Sequence, residues 1–446
     1  MNLRRPFFIT IFFLSFVLLT RSAYGLTISE EKKYGREVFT EIARSAAINN
    51  DPYLSIYIQE IKDRLEGVAD MPFPVVLTII ESNTVDAFAT VGGYVFITTG
   101  LIGECDKEEE LAGVMAHEFG HIKKRHIAKR LEKEKFINIG MLATMVAGML
   151  IGDQAGSAVA TAGTASAQAL SLKYSREDEE EADKEGSIIA DRAGYGGLGI
   201  AGFLKKIRAT GGDKFLPQYL LTHPYHESRI VALENMWPHS EVTVNTAFFP
   251  YVLVRAKLFG KVHGPGIDDV LVNRYLKAKD DPVNAYAASL IFSRKGKADE
   301  SIEVASHIGS PYRPLLFGEI LVNARRYDEA IEMLRNNKDP LYRYFLAKAY
   351  EGNSNREMAV ATLKTLIPYG SAYPEILYRL AMLRGRMGDE GQGYEYLGRY
   401  YLDLGRYDLA RSNLEKAITK YGVNSPQARE VMRLMDSMDE RKDMKK

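Results

Sequence analysis

The sequence predicts a mostly helical α+β chain, in which a domain holding a small sheet is followed by an all-α solenoid. Three observations carry that reading. From Asp106 onward, Leu111, Val114, Met115 and Ile122 recur at helical spacing, and the acidic segment 175–183 follows as a second helix. Upstream, Val85, Ala87, Val95 and Ile97 alternate with other residues around Gly92-Gly93, the pattern of paired strands joined by a turn or bulge. Beyond about residue 280 the chain reads as short amphipathic helix pairs that recur. The expected organisation is a signal peptide over 1–25, a catalytic domain over 26–240, a connecting region over 241–280 and helical repeats over 281–440.

The N-terminus has the three parts of a secretory signal. Arg4 and Arg5 supply the charge, residues 6–20 the apolar run, and Ala23-Tyr24-Gly25 the small-x-small cleavage site. The apolar run is short for a membrane span. Lysine plus arginine and aspartate plus glutamate are balanced at 58 each. Removing residues 1–25 takes away Arg4, Arg5, Arg21 and no acid, which leaves a net charge of −3. That balance gives no support to nucleic-acid binding. The single cysteine, Cys105, has no partner for an internal disulfide and reads as a small buried hydrophobe.

The helix from Asp106 carries His117-Glu118-Phe119-Gly120-His121. Residues four apart share a helical face, so both imidazoles can address one metal ion, and Glu118 lies beside it. Zn²⁺ takes neutral histidine nitrogens in a small tetrahedral shell, and this spacing is the zinc metalloprotease signature. Asp106 with Glu109 reads as a capping box for the helix. His126 is five residues beyond His121, about 140° around a continuous helix, so it is assigned a structural or supporting role. Lys123-Lys124-Arg125 reads as a solvated run.

Residues 137–170 are apolar and small, interrupted by Gly152-Asp153-Gln154. Neither half reaches about 18 uninterrupted apolar residues. A helical hairpin is expected there, as a lid, a lipid contact or part of the core. In Ser175-Arg176-Glu177-Asp178-Glu179-Glu180-Glu181-Ala182-Asp183, Glu179 and Asp183 again share a face. Glu179 could be the third metal ligand, with Asp183 accepting from the far nitrogen of a ligand histidine such as His117. An acidic solvated face is the other reading of such a run.

The segments 117–121 and 175–183 resemble the zinc peptidase family that includes HtpX and the CAAX prenyl proteases. Members carry H-E-x-x-H and then S-R-x-x-E-x-x-A-D, matched here by Ser175, Arg176, Glu179, Ala182 and Asp183. A third block, 86–97, resembles the family's N-A-F-A-x-x-G-G, with Asp86 in place of Asn. The resemblance implies a gluzincin-type metallopeptidase domain with one Zn²⁺ held by His117, His121 and Glu179. It makes Glu118 the general base and Asp183 a support. It also implies an edge strand, with Ala87, Phe88, Ala89, Gly92 and Gly93, along which an extended substrate pairs. His223, in Leu221-Thr222-His223-Pro224-Tyr225-His226, matches a His-Pro step followed by an arginine such as Arg229. Two roles for His223 stand side by side: donor to the developing oxyanion, or a reversible inhibitory ligand in the fourth zinc position. Tyr225 and His226 are weaker candidates for the donor.

Residues 240–270 contain Pro250, Gly260, Gly264, Pro265 and Gly266, as a connecting region would. Beyond them Ala298-Asp299-Glu300-Ser301-Ile302 resembles Tyr327-Asp328-Glu329-Ala330-Ile331, and Arg406-Tyr407-Asp408-Leu409-Ala410 repeats Arg326-Tyr327-Asp328-Glu329-Ala330. These resemble tetratricopeptide repeats of shortened period, with a concave face for protein ligands. The order of signal, peptidase and repeats resembles an envelope branch of the family. That branch implies the periplasm, quality control of outer-membrane proteins, unfolded or misassembled proteins as substrates, and contact of the repeats with the barrel assembly machinery. Peripheral membrane contact is a further expectation. The alternative function is a chaperone-like adaptor that binds clients through the repeats with little proteolysis, which would have no use for Glu118.

Overall fold

The computed structural model describes residues 25–133, 174–211, 218–259, 266–309 and 311–443. The expected signal segment up to residue 24 and the expected hairpin at 137–170 lie outside these residues. No helix among the described residues is long and apolar enough to cross a membrane.

The chain is mostly helical around one three-stranded sheet. The first helix, Ile28–Ser45, opens with a capping box in which Thr27 and Glu30 satisfy each other's backbone N–H groups. The second, Pro52–Ala69, has Asp51 as its cap and proline at its first position. Strands β1 (Val76–Ile80), β2 (Ala87–Ala89) and β3 (Tyr94–Thr98) follow. The order is β1-β3-β2, with β1 parallel and β2 antiparallel to β3, so β2 is an edge. Gly92 and Gly93 turn the chain between β2 and β3 at φ 78° and 88°. A side chain at Gly92 would strike the Glu31 carbonyl of the first helix, so the turn doubles as a packing contact.

Two helices carry the chemistry: the motif helix, Glu108–Lys123, and the acidic helix, Arg176–Arg192. The motif helix starts one residue later than the sequence suggested. Lys107 stands at the cap without a side-chain bond, and Asp106 does not cap. Asp106 instead pairs with Lys206 at 2.5 Å while its own N–H donates to Glu110 at 2.7 Å. The basic run behind the motif is also not free in solvent. Lys123 and Lys124 both meet Glu185 of the acidic helix, at 2.6 and 3.2 Å, and Arg125 pairs with Glu31.

The region at 241–280 holds more order than its glycines and prolines suggest. Helices Phe249–Phe259 and Ile267–Lys277 occupy it, with Pro250 in the first turn of one and Gly266 at the N-cap of the other. The first of these buries Phe249, Tyr251, Val252, Val254, Arg255, Ala256 and Leu258. Helices from Pro282–Arg294 to Pro426–Asp443 then stack in succession. A left-handed residue precedes each recurring segment: Gly296, Arg325 and Ser354, spaced 29 residues apart, and then Gly405.

The repeats are packed into the catalytic part. Tyr53 of the second helix lies among the rings of Phe248, Tyr286 and Phe345, with centroids 6.0, 6.2 and 5.6 Å away. Arg255 is buried between Asp51 (2.8 Å) and Glu319 (2.7 Å), and Tyr286 donates to Glu319 at 2.8 Å. Tyr373 donates to the Asn50 carbonyl at 3.1 Å. One continuous apolar core runs from Tyr53 to Leu383.

Candidate metal centre

The motif helix and the acidic helix cross almost backbone to backbone. A Cβ on Gly120 would lie 2.6 Å from the Ala182 carbonyl, and one on Gly186 would lie 2.7 Å from the Ala116 carbonyl. Only glycine permits that approach, and the approach sets Glu179 opposite the two motif histidines. Gly186→Ala is therefore expected to cost about 1–3 kcal/mol by overpacking and to weaken zinc binding. Thermal denaturation and a chelator competition measure the two effects.

Four donor atoms converge in the buried space this crossing creates: those of His117, His121, Glu179 and His223, all within 4.8 Å of one another. His117 Nε2 is 3.0 Å from His121 Nε2 and 3.2 Å from His223 Nδ1. Glu179 Oε1 is 3.0 Å from His223 Nδ1 and 3.4 Å from His121 Nε2. Bonds of about 2.0–2.1 Å from a tetrahedral zinc centre place neighbouring donors about 3.3 Å apart. Four of the six edges lie near that figure and every pair lies within 4.8 Å, so the residues fit a metal ion of zinc's size. Burial holds the His121 imidazole well below its ordinary value, which keeps it neutral as a ligand must be.

The surroundings are built for the same purpose. Asp183 Oδ1 lies 2.9 Å from His117 Nδ1, so that nitrogen carries the hydrogen and Nε2 offers its lone pair to the centre. Tyr174 stacks on His121 with centroids 3.8 Å apart, and Tyr219 stacks on His223 at 4.5 Å. Arg229, fully buried, binds Asp183 through Nε and Nη2 at 2.6 and 2.7 Å and meets Glu179 at 2.6 Å. Burial alone would raise the Asp183 carboxyl, but Arg229 outweighs it and holds the group below its ordinary value. Arg229→Met strands two buried carboxylates. The expected loss is about 3–5 kcal/mol, read as a lowered denaturation midpoint.

Glu118 is fully buried, and neither carboxylate oxygen has a hydrogen-bond partner. Burial pushes its carboxyl up to about 8. Such an orphaned acid is costly unless a cation or a water meets it. His223 Nε2 stands 3.5 Å from Glu118 Oε1, so the His223 ring links that carboxylate to the donor cluster. Asp86 is buried close by, with its carboxyl pushed up to about 7 by burial. Ala87, Phe88 and Ala89 form β2, which packs on the motif helix. Tyr225 and His226 face elsewhere: Tyr225 accepts from Arg208 at 2.6 Å, and His226, at the N-cap of Glu227–Met236 without a side-chain cap, lies 3.4 Å from Arg176 Nη2.

The sequence reading named the four donors but missed how Arg229, Tyr174 and Tyr219 brace them. Arg229 stood out only as the arginine after a His-Pro step. Tyr174, one residue before the acidic block, carried no periodic signal of its own.

Comparison with known proteins gives the same picture. Residues 52–237 match Peptidase family M48, and residues 391–419 match a tetratricopeptide repeat. The chain is 26% identical over 429 residues to the Beta-barrel assembly-enhancing protease of Escherichia coli (strain K12), covering 92% of this chain and 88% of that protein. Against the Beta-barrel assembly-enhancing protease of Yersinia pestis it is 26% identical over 382 residues, covering 80% and 76%. Against the Mitochondrial metalloendopeptidase OMA1 of Arabidopsis thaliana it is 31% identical over 151 residues, covering 34% and 29%.

Proposed function

We propose that this chain, which carries a zinc metallopeptidase domain of family M48 joined to tetratricopeptide repeats, is an endopeptidase of the bacterial periplasm that degrades misfolded or misassembled outer-membrane proteins. The observation that carries the chemistry is the convergence of His117, His121, Glu179 and His223 beside the unpartnered Glu118. The relatives named for barrel assembly, similar over most of the chain, support the cellular role.

His117, His121 and Glu179 would hold the zinc, which would supply a Lewis acid to polarise the scissile carbonyl and activate water. Glu118 would take a proton from the attacking water and later return it to the leaving amine. Asp183 and Arg229 hold His117 and Glu179 in place while charge develops. The free side of β2 offers backbone groups to an extended peptide, a recognition that reads main chain and suits unfolded segments. His223 would serve as a reversible fourth ligand: its Nδ1 lies among the other donors, and its ring stands against Glu118, where water would be activated. The repeats bind protein partners, among them the barrel assembly machinery.

Purified protein should contain one zinc per chain and cleave an unfolded outer-membrane protein while sparing the same protein folded in a lipid bilayer. Equal cleavage of both forms would refute the quality-control role. Metal-free protein, confirmed by elemental analysis, would refute the peptidase reading.

A further inference from the structure

We propose that Glu181, His126 and His121 form a hydrogen-bonded relay that fixes the ligand lone pair of His121, which makes His126 a positioning residue for the metal centre; this rests on the reading of that centre given above. His126 Nε2 lies 3.1 Å from Glu181 Oε2, and His126 Nδ1 lies 2.9 Å from His121 Nδ1. A carboxylate only accepts, so the single hydrogen of neutral His126 is on Nε2 and its Nδ1 is an acceptor. His121 Nδ1 must then be the donor, and His121 Nε2 keeps its lone pair. His117 is set the same way by Asp183. The relay therefore aims two lone pairs at each other across 3.0 Å, a repulsive contact that a cation between them turns attractive.

The chain is shaped to make this contact. On a continuous helix His126 would point about 140° away from His121. The motif helix instead ends at Lys123, Arg125 takes a left-handed φ of 55°, and a new helix starts at His126. Arg125 is held there by Glu31 (2.7 Å) and the Leu26 carbonyl, both at the start of the first helix. The turn brings His126 back beneath His121, 2% exposed. Tyr174, with Arg130 above its ring at 4.7 Å, closes the other face of His121.

The test is zinc affinity and zinc release, measured by chelator competition on the purified full protein. His126→Leu keeps bulk but loses the acceptor, and zinc should bind about 10–100-fold more weakly and leave faster. His126→Asn keeps an oxygen near the Nδ1 position and should stay within about threefold of wild type. Glu181→Ala, at the exposed end of the relay, should weaken zinc by a few-fold without touching the core. Cobalt-substituted His126→Leu should also show an altered visible spectrum. If His126→Leu binds zinc like wild type, or if the Asn variant is as weak as Leu, the relay is wrong. Should His126→Leu fail to fold, unchanged affinity in Glu181→Ala overturns the proposal by itself. A wild type that binds no zinc would sink the metal centre and the relay together; zinc-loaded wild type with indifferent variants would sink the relay alone.

Discussion

Glu118→Gln should fold, load zinc like the wild type, and cleave unfolded protein about 10²–10⁴-fold more slowly. The substitution is nearly isosteric, and Glu118 is not one of the four donor residues. What it removes is the one carboxylate placed to move a proton. Its cost to folding should be small or even negative, because the native group is an acid buried without a partner. A variant that binds zinc and still cuts at the wild-type rate would assign the proton transfer to another group. Asp86, buried nearby and pushed up to about 7, would be the first to examine.

His223→Ala is the second large effect, and its sign separates the two roles read from the sequence. As a fourth ligand, His223 must leave before substrate can enter, so only the fraction of molecules with the ring displaced is active. If that fraction is about 1–10%, removing the ring raises kcat/KM by about 10–100-fold. As an oxyanion donor, its loss would instead lower kcat by about 10²–10³-fold. The position of Nδ1, 3.0 Å from Glu179 Oε1 and 3.2 Å from His117 Nε2, favours the rise. Single-turnover cleavage of one quenched peptide by both proteins reads the sign directly.

What could be read from the sequence was whatever depends on short-range geometry. Residues four apart on a helix share a face whatever the rest of the chain does, so His117 with His121, and Glu179 with Asp183, were legible as pairs; that the second pair and His223 belong with the first came from the family resemblance. The alternation over 85–97 and the recurring Asp-Glu-x-Ile-like segments were legible for the same reason. Features that depend on one segment approaching another were not. Arg229 reaches Asp183 across 46 residues. His126 reaches His121 only because Arg125 leaves the helical region of backbone space, which no local pattern announces. Asp106 looked like a cap, yet a lysine from another helix claims its carboxylate. In the stretch 241–280 the turn formers were counted and the spacing of Phe249, Val252 and Ala256 was overlooked.

The guanidinium of Arg255 neutralises a carboxylate from each half of the molecule, and the aromatic rings around it belong to both. Cutting the chain near residue 280 would leave Asp51 and Arg255 without Glu319, and would bare the greasy flank of Tyr53. Such a truncated protease should precipitate rather than run unrestrained.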